Sequence, residues 1–107
     1  MIIISKYLVP KNYSGLTIYP FVFLKRKDLK SDDFLLNHEK IHIQQQKELL
    51  WFVFFIWYFS EYLIRLIQHK NHYKAYKNIS FEKEAYQNEG NLNYLLERKK
   101  FNFLLYF

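Results

Sequence analysis

The chain has 107 residues, half of them hydrophobic and 21% aromatic, with two Gly, two Pro and no Cys. This suffices for one domain with a buried core, expected to span residues 1–107, and it excludes a disordered chain, a disulfide framework and a cysteine-ligated metal site. The net charge of +6 carries no nucleic-acid expectation: Lys and Arg are dispersed, and the densest run, Arg98-Lys99-Lys100, has no Gly-rich or RNP-type aromatic motif beside it.

The opening Met1 to Pro10 lacks the basic n-region and long apolar stretch of a signal peptide, so a cytoplasmic or membrane-associated location is expected. Two strands are predicted in the first thirty residues. Ile2 to Ile4 is a short apolar run, and Leu16 to Leu24 is rich in β-branched and aromatic residues after Gly15 as a turn signal. Pro20 lies inside the second run and cannot donate to a ladder, which makes that strand an edge or a bulged one.

Ser31-Asp32-Asp33 reads as a helix start, with short polar caps before good helix formers. Neither Gly nor Pro follows until Gly90, so helix is favoured from Asp32 to about Gln68. Unbroken, that helix would be roughly 55 Å long at about 1.5 Å per residue. A domain of this size is only about 35 Å across. A break is therefore predicted, at Ser60-Glu61 or in Gln44-Gln45-Gln46. A third helix is predicted from Ser80, as N-cap, to about Arg98, with Gly90 as its weak point and Glu82 and Glu84 in the first turn, where the helix dipole favours negative charge. The tail, Phe101 to Phe107, is expected to pack back on the body.

His38 and His42 are four residues apart, so on a helix they share a face. Two imidazoles at this spacing can hold one zinc ion, and Glu39, beside the first, can accept a proton from a zinc-activated water. A catalytic zinc needs a third protein ligand, and the candidates are Glu82 and Glu84, which could reach back from the start of the next helix.

His38 to His42, followed by Glu-x-Glu-Ala at Glu82 to Ala85, resembles the gluzincin branch of the zincin metallopeptidases, and the length and layout resemble the minigluzincins. The resemblance covers roughly residues 16–97. His42-Ile43-Gln44-Gln45 is also similar to the His-x-x-Gln continuation of some bacterial zincin-like domains. The resemblance implies a small α+β zincin-like domain: short N-terminal strands, then the helix carrying His38 and His42, an apolar helix, and a third helix carrying the Glu ligand. It further implies Glu82 as third zinc ligand, with Glu84 the runner-up, and Ala85 as the small residue that lets the helices approach. The implied function is zinc-dependent hydrolysis of a peptide or protein substrate with Glu39 as general base. The strand Leu16 to Leu24 would receive the substrate by β-augmentation. The oxyanion donor is left open among His69, His72, Tyr73 and Tyr76. Lys40 and Tyr86 depart from the family pattern; Tyr86 stands where Asp or Asn usually orients a zinc-bound histidine. These departures and the unassigned oxyanion donor support the alternative, a non-catalytic zincin-like protein acting as a membrane-associated or partner-binding module, whereas Glu39 beside the metal opposes it.

Leu49 to Phe59 is uninterrupted apolar sequence, and after Ser60-Glu61 it resumes to Ile67. Eleven residues are too few for a span, so the first expectation is a core helix. The second is membrane association through Leu49 to Ile67, with Trp51, Trp57, Arg65 and Lys70 as interfacial anchors. Geometry also constrains the break. From the end of a straight helix at Gln68 the chain would need about 39 Å to return to His42, barely what His69 to Ser80 can span. Either the helix breaks earlier or Glu82 has no role at the metal.

Overall fold

The computed structural model describes all of residues 1–107. The apolar run Leu16 to Leu24 forms a hairpin rather than the single strand expected: β2 (Gly15–Ile18) and β3 (Phe21–Leu24) flank Tyr19-Pro20. The missing N–H of Pro20 thus falls in the turn, where no ladder bond is lost. With β1 (Ile2–Ile4), the strands make a mixed sheet of order β1-β3-β2. β1 runs parallel to β3 with Ile2 opposite Val22, and β2 runs antiparallel with Leu16 opposite Phe23. β3 is therefore central, and only β2 offers a free edge toward the helices. Val22 and Leu24 alternate inward from β3 and pack with Leu29, Leu35, Leu36 and Ile43.

After a short 3-10 turn, α1 (Asp33–Leu49) begins under the Asp32 cap, whose carboxylate accepts from Leu35 N at 3.1 Å. α2 (Trp51–His69) leaves α1 at 110°. The hinge is Leu50, with φ of 64°, and not Gln44–Gln46 or Ser60-Glu61. The glutamines stay helical because Gln45 and Gln46 are buried in side-chain hydrogen bonds. Glu61 stays helical because it turns inward, accepting from Ser80 N and Ser80 Oγ, both at 2.7 Å. The fold-back keeps the molecule within 36 × 32 × 25 Å.

The connection from α2 holds a helix that the sequence did not announce, α3 (His72–Lys77), capped by Asn71 onto Lys74 N at 3.0 Å. α4 (Ser80–Asn88) follows, and two expectations about it are corrected. Ser80 is not the cap; the Glu61 carboxylate from α2 satisfies the first turn instead. The helix also stops at Asn88, ahead of Gly90, and does not reach Arg98. Its end is held by Asn37 of α1, whose amide reaches the carbonyls of Asn88, Glu89 and Asn91 at 2.9 to 3.2 Å. A one-turn helix, α5 (Tyr94–Glu97), and a 3-10 turn, Asn102–Tyr106, complete the chain.

The largest apolar cluster joins α2, α4 and the tail through Phe54, Ile79, Phe81 and Phe103. Phe81 is fully buried, its ring centroid 4.4 Å from that of Phe54 and 4.6 Å from that of Phe103. Burial of such a ring contributes about 1.5–3 kcal/mol. α1 and α4 meet through Ile41 and Ala85, both fully buried. The fold class is α+β, and its helices bring α1, β2 and the first turn of α4 to one place.

Candidate metal centre

The four-residue spacing sets His38 and His42 on one side of α1, where α4 crosses it at Ala85. Glu82, one turn before Ala85 on α4, then projects at the histidines. His38 Nε2 and His42 Nε2 are 3.1 Å apart, and Glu82 Oε1 lies 3.2 Å from the first and 3.0 Å from the second. All three residues are at least nine-tenths buried. Two imidazole nitrogens and a carboxylate oxygen, with no other group between them, can hold a metal ion. Such donors around a tetrahedral zinc at about 2.0–2.1 Å lie about 3.3 Å from one another. The observed separations are close to that edge length, so the donor set fits.

Each of the three side chains is held from behind. His42 Nδ1 lies 2.8 Å from Gln45 Oε1, and His38 Nδ1 lies 3.0 Å from Glu89 Oε1, which turns both Nε2 atoms toward the centre. Tyr58 on α2 donates to Glu82 Oε2 at 2.6 Å, leaving Oε1 for the centre. The polar groups behind the two imidazoles are thus Gln45 and Glu89, and not Tyr86. Tyr86 packs edge-on against the His38 ring at 4.4 Å, and its hydroxyl meets that of Tyr76 at 2.9 Å. Lys40, the other departure, is solvent-exposed and outside the centre.

Glu84 is not part of the triad. Fully buried, it accepts from Arg98 Nε at 2.5 Å, Tyr94 Oη at 2.5 Å and Gln45 Nε2 at 2.9 Å. Arg98 also reaches Glu48 at 2.6 Å. A buried charge network therefore backs Gln45, and through Gln45 it backs His42.

Burial acts against the charged imidazole of His42, but the adjacent Glu82 carboxylate outweighs it and raises the pKa to about 9. Burial likewise opposes ionisation of Glu82, and His42 and His38 override it, holding the carboxyl well below the usual range. Burial, then the Glu82 charge, raises the phenols of Tyr13, Tyr58 and Tyr76, which therefore remain hydrogen-bond donors at neutral pH.

Glu39 points from the same helix to the other side of the triad, toward β2. The Thr17 hydroxyl donates to its Oε2. A Cβ at position 15 would stand 3.3 Å from Glu39 Oε1, tighter than ordinary contact, so glycine leaves the carboxylate its place. The triad, Glu39 and β2 form one wall of a cleft of about 380 Å³. Phe54, Phe55, Tyr58, Phe59 and Tyr62 of α2 form the apolar opposite wall. A second cavity of similar size continues past His38 and Glu39 between Asn12, Tyr86 and Glu89.

No protein-family model, curated protein or solved structure matches the chain.

Of the four donors considered from sequence, His72 and Tyr76 line the cleft, and His69 and Tyr73 do not. His72 joins two further phenols, Tyr13 at 3.0 Å and Tyr62 at 2.8 Å. Sequence reasoning missed Thr17, Gln46, Tyr58 and Glu89. Gln45 was marked there only by the His-x-x-Gln spacing, without a role. The edge strand is also shorter than expected, because β3 is interior. Part of what remains is occupied: Gln46 donates to Thr17 O at 2.8 Å and accepts from Tyr19 N at 2.6 Å.

Proposed function

We propose that the protein is a minimal zincin-like metallopeptidase of the gluzincin type, with zinc held by His38, His42 and Glu82 and with Glu39 as general base. The observation that carries this reading is the pairing of a buried His-His-Glu triad with a fourth buried group, Glu39, that shares its cleft without joining it. A structural metal site would use its donors and close; a carboxylate retained beside it on the open side is what hydrolysis requires. Zinc bound there supplies Lewis-acid polarisation of the scissile carbonyl and a water of lowered pKa.

The chain's own residues do the rest. Glu39, held by Thr17, takes the water proton and passes it to the leaving amine. Gln45, Glu89 and Tyr58 fix the orientation of the ligands. The Gly15 end of β2, which Gln46 leaves free, pairs with an extended substrate and sets its backbone along the cleft. The two cavities on either side of His38 and Glu39 take the residues flanking the scissile bond, with the larger apolar side chain against α2. The Tyr13-His72-Tyr62 chain supplies the donor for the developing oxyanion.

The test is zinc content and cleavage of a mixed peptide library by the purified chain, beside His38→Ala and Glu82→Ala. One zinc per chain with cleavage, both lost in either variant, supports the reading. Stoichiometric zinc in Glu82→Ala would remove Glu82 from the ligand set.

A further inference from the structure

The outer face of α2 is the wrong way round for a water-facing helix. Phe52, Ile56, Phe59, Leu63 and Ile67 recur every three or four residues, hence on one side, and each is between 43 and 76% exposed. Of the helix's two charged residues, Glu61 is buried against Ser80, and Arg65 folds back to pair with it at 3.7 Å. Glu61 is the helix's single carboxylate, so its exposed surface carries no negative charge. The C-terminal segment extends the apolar face: Leu104, Leu105 and Phe107 are more than half exposed, and Phe107 lines a groove of about 370 Å³ with Ile56 and Ile64. The same segment brings Lys99 and Lys100, which follow the exposed Glu97, and Lys70 caps the end of α2. A contiguous apolar face with a basic border is not the surface of a chain that meets only water.

We propose that this face docks flat on an anionic lipid bilayer. The five stripe residues enter the headgroup–acyl boundary, and Lys70, Lys99 and Lys100 meet lipid phosphates. Charge selects lipid over a second copy. A two-fold contact through this face would bring the lysines of two molecules, each of net charge +6, toward one another with no exposed carboxylate on α2 to offset them. The helix lies on the surface rather than crossing it. No single helix is long and apolar enough to span, and the 110° bend turns α1, with its buried charged centre, away from the axis of α2. Phe59 belongs both to the stripe and to the cleft wall, so docking sets the cleft mouth at the lipid surface. Where the peptidase reading holds, and this step rests on it, the substrates are peptide segments lying next to a membrane.

Co-sedimentation of the full chain with vesicles tests the docking without reference to hydrolysis. Vesicles of equimolar phosphatidylglycerol and phosphatidylcholine, and of phosphatidylcholine alone, are compared, with and without zinc. Binding is expected to the anionic vesicles, to weaken several-fold per lysine in Lys70→Gln and Lys100→Gln, and to fall with salt. Ile56→Ser with Leu63→Ser, both at exposed positions, is expected to weaken it at least tenfold while circular dichroism is unchanged. Failure to bind either vesicle, or binding indifferent to the serine pair, overturns the proposal. A concentration-dependent dimer that the serine pair dissociates, without vesicle binding, assigns the face to a second copy and also overturns it. Vesicle binding in a chain without peptidase activity would leave the docking intact and count only against the hydrolytic reading.

Discussion

Gln45 holds its amide oxygen 2.8 Å from Nδ1 of His42, while its amide nitrogen donates to Glu84 at 2.9 Å. This contact fixes the imidazole with Nε2 toward Glu82, and the Glu84-Arg98 pair fixes the amide in turn. Gln45→Leu is therefore expected to lower zinc affinity about 10- to 100-fold with the secondary structure kept. Competition against a chromophoric chelator measures it. An unchanged affinity would show that the amide does not orient the ligand.

The same network predicts a stability effect that is separate from chemistry. The Arg98 side chain is 2% exposed and lies between Glu84 and Glu48. Arg98→Met leaves two buried carboxylates without their partner, and breaking a buried pair in this way costs about 3–5 kcal/mol. Urea denaturation of the zinc-loaded protein should show a midpoint far below that of the parent chain. A loss within about 0.5 kcal/mol, the range of ordinary surface substitutions, would contradict the network.

Glu84 also shows where the sequence stopped being informative. The His38-His42 spacing, the helix start at Asp32 and the fold-back demanded by Glu82 were all local or metric facts, and each could be read from the chain. Choosing between Glu82 and Glu84 required knowing which way α4 turns, since the two lie on different sides of the helix. One meets the histidines; the other meets an arginine fourteen residues later. The hinge escaped for a related reason. Leu50 has no Gly or Pro signature, and the bend at its positive φ goes with the packing of Phe54 and Tyr58 on Phe81, contacts between residues distant in sequence. Glu89 sits beyond the end of α4, so no helical period could have placed it behind His38.

Metal-free protein has a pH signature. The pKa of His42 is raised to about 9 by Glu82, so the ion pair contributes fully below the ordinary histidine value of about 6.5 and is lost as pH rises through about 9. Glu82 is held low, so its contribution is present above about pH 4.3 and disappears in acid. The urea midpoint of chelator-treated protein should fall between pH 6.5 and 9. Zinc needs the neutral imidazole, so loaded protein should show no such fall, and loading at pH 7 should release protons. A metal-free midpoint that rises across this range would contradict the pairing.

His72 bridges Tyr13 and Tyr62 on the cleft wall. If this chain stabilises the oxyanion, His72→Phe should lower kcat about 100-fold with little change in KM or zinc content. Steady-state kinetics on a cleaved library peptide separates the two parameters, and an effect confined to KM would reassign the chain to substrate binding.

The most direct test of the central claim is the rate of peptide cleavage by Glu39→Gln loaded with one zinc. Glu39 touches no triad atom and is held by Thr17, so the amide should preserve the fold and the metal. The account predicts full zinc occupancy with kcat lowered by a factor of about 100 or more. Cleavage at the parent rate by the zinc-loaded variant would contradict it.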